Sequence, residues 1–239
     1  MGIMVYRDRQ AAGAAAATMI AAQLIEKPNA ALALMASHTF QHIYRQLGAM
    51  TNAGILDWTE ANVFLTSEIM NDGATGLFAS YLSHYLYNEI AIPQKNLHAP
   101  RHNGYDLDAG CTDYEAEIEA AGWLDFLILP VLRTGHIAYN IAGTAMPALT
   151  HVQALPADVL EECKQAYMLE TEDTLQIVTM GMGTLMNAKR IVVCAFGAEV
   201  AKVAEGILSS NVSATEPLSM LQLHPNVTYI LDEAAAVNL

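Results

Sequence analysis

Two apolar runs limit the fold more than anything else in the chain: LDFLILPV at 124–131 and RIVVCAF at 190–196. Neither alternates polar with apolar residues. A strand wetted on one face repeats with a period of two, whereas a strand buried on both faces is apolar throughout. Such strands belong to parallel sheets covered by helices on both sides. The intervening segments can supply those helices. Residues 9–26 form an alanine-rich helical pattern that stops at Lys27-Pro28-Asn29, and 39–53, 77–90, 112–122, 156–168 and 198–208 read as further helices. Residues 30–35, 62–67 and 227–231 read as further strands. The alternation predicts an α/β fold, a parallel sheet with helices on both faces. With 239 residues, 53% of them hydrophobic, and no linker-like tract, the expectation is a single domain over 1–239.

The net charge of −14, with only 11 Lys plus Arg, argues against a nucleic-acid partner, which needs a basic surface. A phosphate could be held only by basic groups or backbone N–H donors concentrated in one place. There is no uninterrupted apolar 18-mer and no leader-like start, so no membrane partner and a cytoplasmic location are expected. The cysteines, Cys111, Cys163 and Cys194, are sparse and odd in number, which predicts reduced thiols. Cys194, inside an apolar strand, reads as core filling.

In parallel α/β sheets, ligands bind beyond the carboxyl ends of the strands. The residues just after each strand are therefore the candidates. They are Ala36, Ser37, His38, Thr39 and His42; Thr66, Ser67, Glu68, Asn71 and Asp72; Arg133, Thr134, Gly135, His136, Tyr139 and Asn140; and Gly197, Ala198 and Glu199. Asn71 and Asp72 read as loop polar groups, and His98 and His102 as surface loop residues.

The segment RTGHIAYNIAGTAMPALTHV (133–152) resembles the signature of the glucosamine-6-phosphate deaminase/isomerase family, G-x-[N/D]-G-H-I-[A/G]-F-N-E-P-G-T followed by T-H. LIEKPNAALAL, Ser80-Tyr81, TMGMGTLMNAKRIVV and LQLHPNVTYILDEAA extend the likeness along the chain. The resemblance implies a modified doubly wound, Rossmann-like, mostly parallel sheet with helices on both faces, which agrees with the fold read from the strand pattern.

The resemblance implies an aldose–ketose isomerisation coupled to loss of ammonia from an amino sugar phosphate. It makes Glu68 the match for the carboxylate that moves the C2 proton, and His136 the match for the histidine that assists ring opening. Several family positions are replaced. The Thr-Gly-[Gly/Ser]-Thr phosphate loop becomes Ala36-Ser37-His38-Thr39. The phosphate-binding arginine becomes Gln165 and the lysine Val200. The two carboxylate helpers of the histidine become Thr134 and Ile141. Ser37, His38, Thr39, Arg133, Thr134, Gly135 and Asn140 remain as substrate-binding candidates. The expected ligand is a small sugar or sugar phosphate, with activity weakened or altered in substrate.

No cofactor or metal is expected. If Zn²⁺ or another divalent ion were bound, His38 and His42 would be the candidates, because i and i+4 share a helical face. Two other readings stay open: a non-catalytic sugar-binding or oligomer-partner homologue, and a metal-dependent isomerase of a neutral sugar. The resemblance leaves a homo-oligomer open as well.

Overall fold

The computed structural model describes residues 1–70, 76–101, 106–170, 174–209 and 211–239. Asn71, Asp72 and His102 lie outside the described residues.

Among the described residues, seven parallel strands form the main sheet. They are β1 (Gly2–Tyr6), β2 (Ala31–Leu34), β3 (Asn62–Leu65), β5 (Leu97–His98), β6 (Phe126–Pro130), β9 (Ile191–Ala195) and β10 (Val227–Asp232), in the order β1-β10-β9-β6-β2-β3-β5. Both apolar runs are central strands, and every residue of β6 and β9 is buried. Successive residues serve opposite faces. Leu32 and Leu34 pack with Ile20, Ile43 and Leu47, while Ala31 and Ala33 pack with Tyr114 and Ile118. Helices α1 (Arg9–Glu26), α2 (Gln41–Asn52) and α3 (Leu77–Tyr85) therefore cover one face, and α4 (Leu107–Ala120) covers the other.

The chain runs outward from β2 to β3 and β5, then returns to the other side of β2 as β6. Strand order reverses between β2 and β6. That reversal opens a crevice beyond their carboxyl ends.

Several elements differ from the sequence reading. β1 is an edge strand with Ile3, Met4 and Val5 exposed, so it carries no burial signature. The strand expected at 62–67 ends at Leu65. The chain then enters a small antiparallel sheet made of β4 (Ser67–Ile69), β7 (His151–Ala154) and β8 (Gln176–Thr179). Helix α4 starts at Leu107 rather than 112, because the Asp106 side chain accepts from the backbone N–H of Asp108 and Ala109. His98 is not a surface loop residue: its ring stacks on Phe64 at 4.3 Å and reaches Glu117 at 2.9 Å. The region 198–208 is a series of short turns of helix rather than one element. All three cysteines are free and buried.

Helices α1 and α2 pack through a specific notch. A Cβ on Gly13 would lie 1.7 Å from His42 Nε2, and the His42 ring rests against Phe196 at 5.7 Å. Gly13→Ala is expected to destabilise by about 1–3 kcal/mol despite the better helix propensity of alanine. Urea unfolding should show the loss, and His42→Ala should relieve it in a double-mutant cycle. An additive cycle would mean that the ring is not the obstacle.

Candidate functional site

The crevice holds a cavity of about 290 Å³. Met35, Ser37, His38 and Thr39 follow β2 on one side. Leu132, Arg133, His136 and Tyr139 follow β6 on the other. Glu162, Gln165 and Tyr167 from α5 (Ala157–Tyr167) close it.

After β2 the Ser37 side chain accepts from the Thr39 backbone N–H and starts a short turn of helix. No glycine opens this turn, so His38 places a ring where the family loop has none. That ring sits between Tyr81 at 5.2 Å and Tyr167 at 5.5 Å. Partial burial lowers its pKa. The Tyr167 hydroxyl donates to the Ala36 carbonyl and ties α5 to the end of β2. Phe78, Tyr139 and Tyr167 continue the aromatic wall, with ring centroids 5.7 and 4.8 Å apart.

After β6 the chain turns through Gly135 (φ 73°) and Ala138 (φ 51°), a left-handed conformation that is uncommon for a residue with a Cβ. The turn buries His136, which is 3% exposed, and stacks its ring on Tyr139. His136 Nδ1 lies 2.6 Å from Thr134 Oγ1. The Thr134 hydroxyl donates to Glu162 Oε2 at 2.7 Å. His136 Nε2 is buried without a hydrogen-bond partner, and His136 is among the residues that line the cavity. Desolvation pushes the imidazole pKa down to about 4, against the opposing field of Glu162 and Asp158.

The other expected residues divide. Ser37, His38, Thr39 and Arg133 line the cavity. Asn140 does not reach it. It is fully buried, and its amide donates to the carbonyls of Ile137 and Met180. Thr134 and Gly135 border a separate groove, and Thr134 meets this cavity through His136 and Glu162.

Glu68 is also placed differently. Its carboxylate is 2% exposed and accepts from the backbone N–H of Ile69, Phe78 and Ala79, each at 2.9 Å. It caps the start of α3, where Gly76 offers no side chain. Burial still raises its pKa against those three donors. A carboxylate so engaged has little capacity left to abstract a proton. Ser67 Oγ shares a hydrogen bond with Thr179 Oγ1 at 2.9 Å.

His38 and His42 do not share a site. His38 faces Tyr81 and Tyr167, and His42 faces Gly13 and Phe196. Among the described residues no group of three His, Cys, Asp or Glu side chains could hold a metal ion.

The cavity's charge follows from its lining. Arg133 is the one permanently cationic lining residue among those described. It is half exposed, with Gln165 Oε1 3.1 Å and Glu162 Oε1 3.6 Å away. Val200, at the position matching the family lysine, is buried core. Glu162 and Tyr167 were not legible as site residues, because a Glu-Glu pair on an amphipathic helix looks like any solvated face.

A family model described as glucosamine-6-phosphate isomerases/6-phosphogluconolactonase matches residues 8–230. The chain belongs to this family. Glucosamine-6-phosphate deaminase of Clostridioides difficile (strain 630) is 32% identical over 244 aligned positions, covering 100% of this chain and 97% of the relative. The enzyme of the same name from Thermoanaerobacter pseudethanolicus is 31% identical over 223 positions, covering 92% and 88%. A solved monomeric glucosamine-6-phosphate deaminase superposes with a TM-score of 0.92 at 27% identity, covering 99% of both chains. A 6-phosphogluconolactonase from Trypanosoma brucei, at 18% identity and a TM-score of 0.76, shares the fold. Among the described residues no helix is long and apolar enough to cross a membrane.

Proposed function

We propose that this chain is a carbohydrate-metabolism enzyme that binds an amino sugar of the glucosamine 6-phosphate class in the β2–β6 crevice. In this reading it opens the sugar ring through His136 and releases ammonia slowly. The observation that carries the proposal is the buried Nε2 of His136, without a hydrogen-bond partner, on a residue that lines the cavity. A neutral Nε2 can take the anomeric hydroxyl proton as the C1–O5 bond breaks, then return it to O5. Such acid–base assistance is worth about 10²–10⁴-fold. The aromatic wall suits the less polar face of a hexose ring.

Two features weaken later chemistry and affinity. Glu68 is committed to the α3 cap, so proton transfer from C2 lacks the carboxylate assigned to it. Gln165 and Val200 stand in for two cations, and each charge-assisted hydrogen bond is worth about 1.5–3 kcal/mol. These features favour a second reading, a sugar-binding homologue that no longer turns over.

One experiment separates the readings. Anomer exchange of glucosamine 6-phosphate and glucosamine is followed by NMR, with ammonia release measured in parallel. The expected result is exchange accelerated by the protein, lost by about 10²–10⁴-fold in His136→Ala, with ammonia appearing far more slowly. Exchange indifferent to His136→Ala overturns the proposal. Binding without acceleration establishes the second reading.

A further inference from the structure

The family signature orients its histidine with carboxylates at positions that are Thr134 and Ile141 in this chain. We infer that the lost carboxylate has been rebuilt from another helix. Glu162 of α5, acting through the Thr134 hydroxyl, is the positioning residue that holds His136 with its proton on Nδ1. The inference rests on the proposed role of His136 for its catalytic meaning, but not for its geometry.

Donor counting gives the direction. The Glu162 carboxylate already accepts from the backbone N–H of Arg133 at 3.0 Å and of Thr134 at 3.3 Å, and faces the Arg133 guanidinium. It acts as an acceptor toward everything around it. Thr134 has a single hydroxyl hydrogen. The 2.7 Å contact uses that hydrogen to donate to Glu162. Thr134 Oγ1 can then only accept from His136 Nδ1, 2.6 Å away. In a neutral ring, a proton on Nδ1 leaves Nε2 as a lone pair. That nitrogen is the one buried without a hydrogen-bond partner. The groups acting on the ring are Thr134, the stacked Tyr139, and the carboxylates of Glu162 and Asp158. Glu162 is anchored by two backbone donors on the loop that carries His136, which ties α5 to that loop.

Where a carboxylate touches a catalytic imidazole directly, exchange for the amide costs about 10⁴-fold in kcat by favouring the wrong tautomer. With a hydroxyl interposed, Glu162→Gln is expected to lower ring opening by about 10–10³-fold while KM changes little. The amide NH₂ can donate to Thr134, whose hydroxyl then turns toward Nδ1 and moves the ring proton to Nε2.

The test reads the proton directly. ¹⁵N-histidine-labelled protein at pH 7 is examined by ¹H–¹⁵N NMR, with His136 assigned by its absence in His136→Gln. The expected result is Nδ1–H in the native chain and in Thr134→Ser. Thr134→Val and Glu162→Gln should shift the population toward Nε2–H. Nε2–H in the native chain overturns the inference, and so does Nδ1–H surviving in both disruptive variants. If Glu162→Gln does not fold, the Thr134→Ser and Thr134→Val pair decides alone. A native Nδ1–H tautomer that responds as expected, in a protein that does not accelerate anomer exchange, keeps the Glu162 relay and removes the proposed activity.

Discussion

Replacing Glu68 by alanine is expected to destabilise the protein by about 3–5 kcal/mol, the scale of three buried donors left without their acceptor. Three backbone N–H groups lose their acceptor at once: those of Ile69, Phe78 and Ala79. Each buried donor left unsatisfied costs about 1–3 kcal/mol, and any water that enters recovers part of it. The negative charge also lies at the start of α3, where the helix dipole favours it. For a chain of this size the loss corresponds to a fall in melting temperature of about 10 °C. Glu68→Gln should cost less, because the amide oxygen can still accept at one position while its NH₂ confronts a donor at the other. The pair of variants separates cap from base. A proton-transfer base would lose activity in Glu68→Gln with its stability intact. A cap loses stability in both variants, more in alanine. Equal melting temperatures for native protein and Glu68→Ala would refute the cap.

The case of Glu68 shows where sequence reading reached its limit. The central strands were plain at residue level, because LDFLILPV and RIVVCAF could be buried only between two helical layers. The crevice followed from the rule for strand ends, and Ser37, His38, Thr39, Arg133 and His136 line it. The role of each side chain did not follow. Glu68 and Asn140 sit at strand or loop ends with polar side chains, yet both satisfy backbone groups of the neighbouring element. No local pattern distinguishes a carboxylate aimed at a ligand from one aimed at a helix start ten residues away. The same limit applied to His38 and His42, whose four-residue spacing fitted one helical face. The chain enters α2 through a separate short turn at His38, so the two rings diverge. Glu162 was hidden because its partner is a threonine hydroxyl that only the β6 turn brings within reach.

Stability is expected to fall by about 3 kcal/mol through His136 as pH drops from 7 toward 4. Burial pushes the folded-state pKa of His136 down to about 4 from an ordinary 6.5. Between those values the unfolded chain binds a proton that the folded protein refuses. The unfolded state therefore gains as pH falls, and stability rises with pH across the same window. His38 and His42, lowered by the same desolvation, act with the same sign. Glu68, raised by burial, acts with the opposite sign. The His136 contribution is isolated by urea unfolding of the native chain and His136→Gln between pH 4.5 and 8. The stability difference between them should be flat above pH 7 and should shift in favour of the variant as pH falls. A difference independent of pH would mean that His136 accepts its proton normally in the folded state, and that the buried ring is open to water. The same shift governs activity. A ring that stays neutral down to about pH 4 keeps Nε2 available as a base throughout the mildly acidic range. Loss of ring opening on the acid side should then track unfolding rather than titration of the folded imidazole.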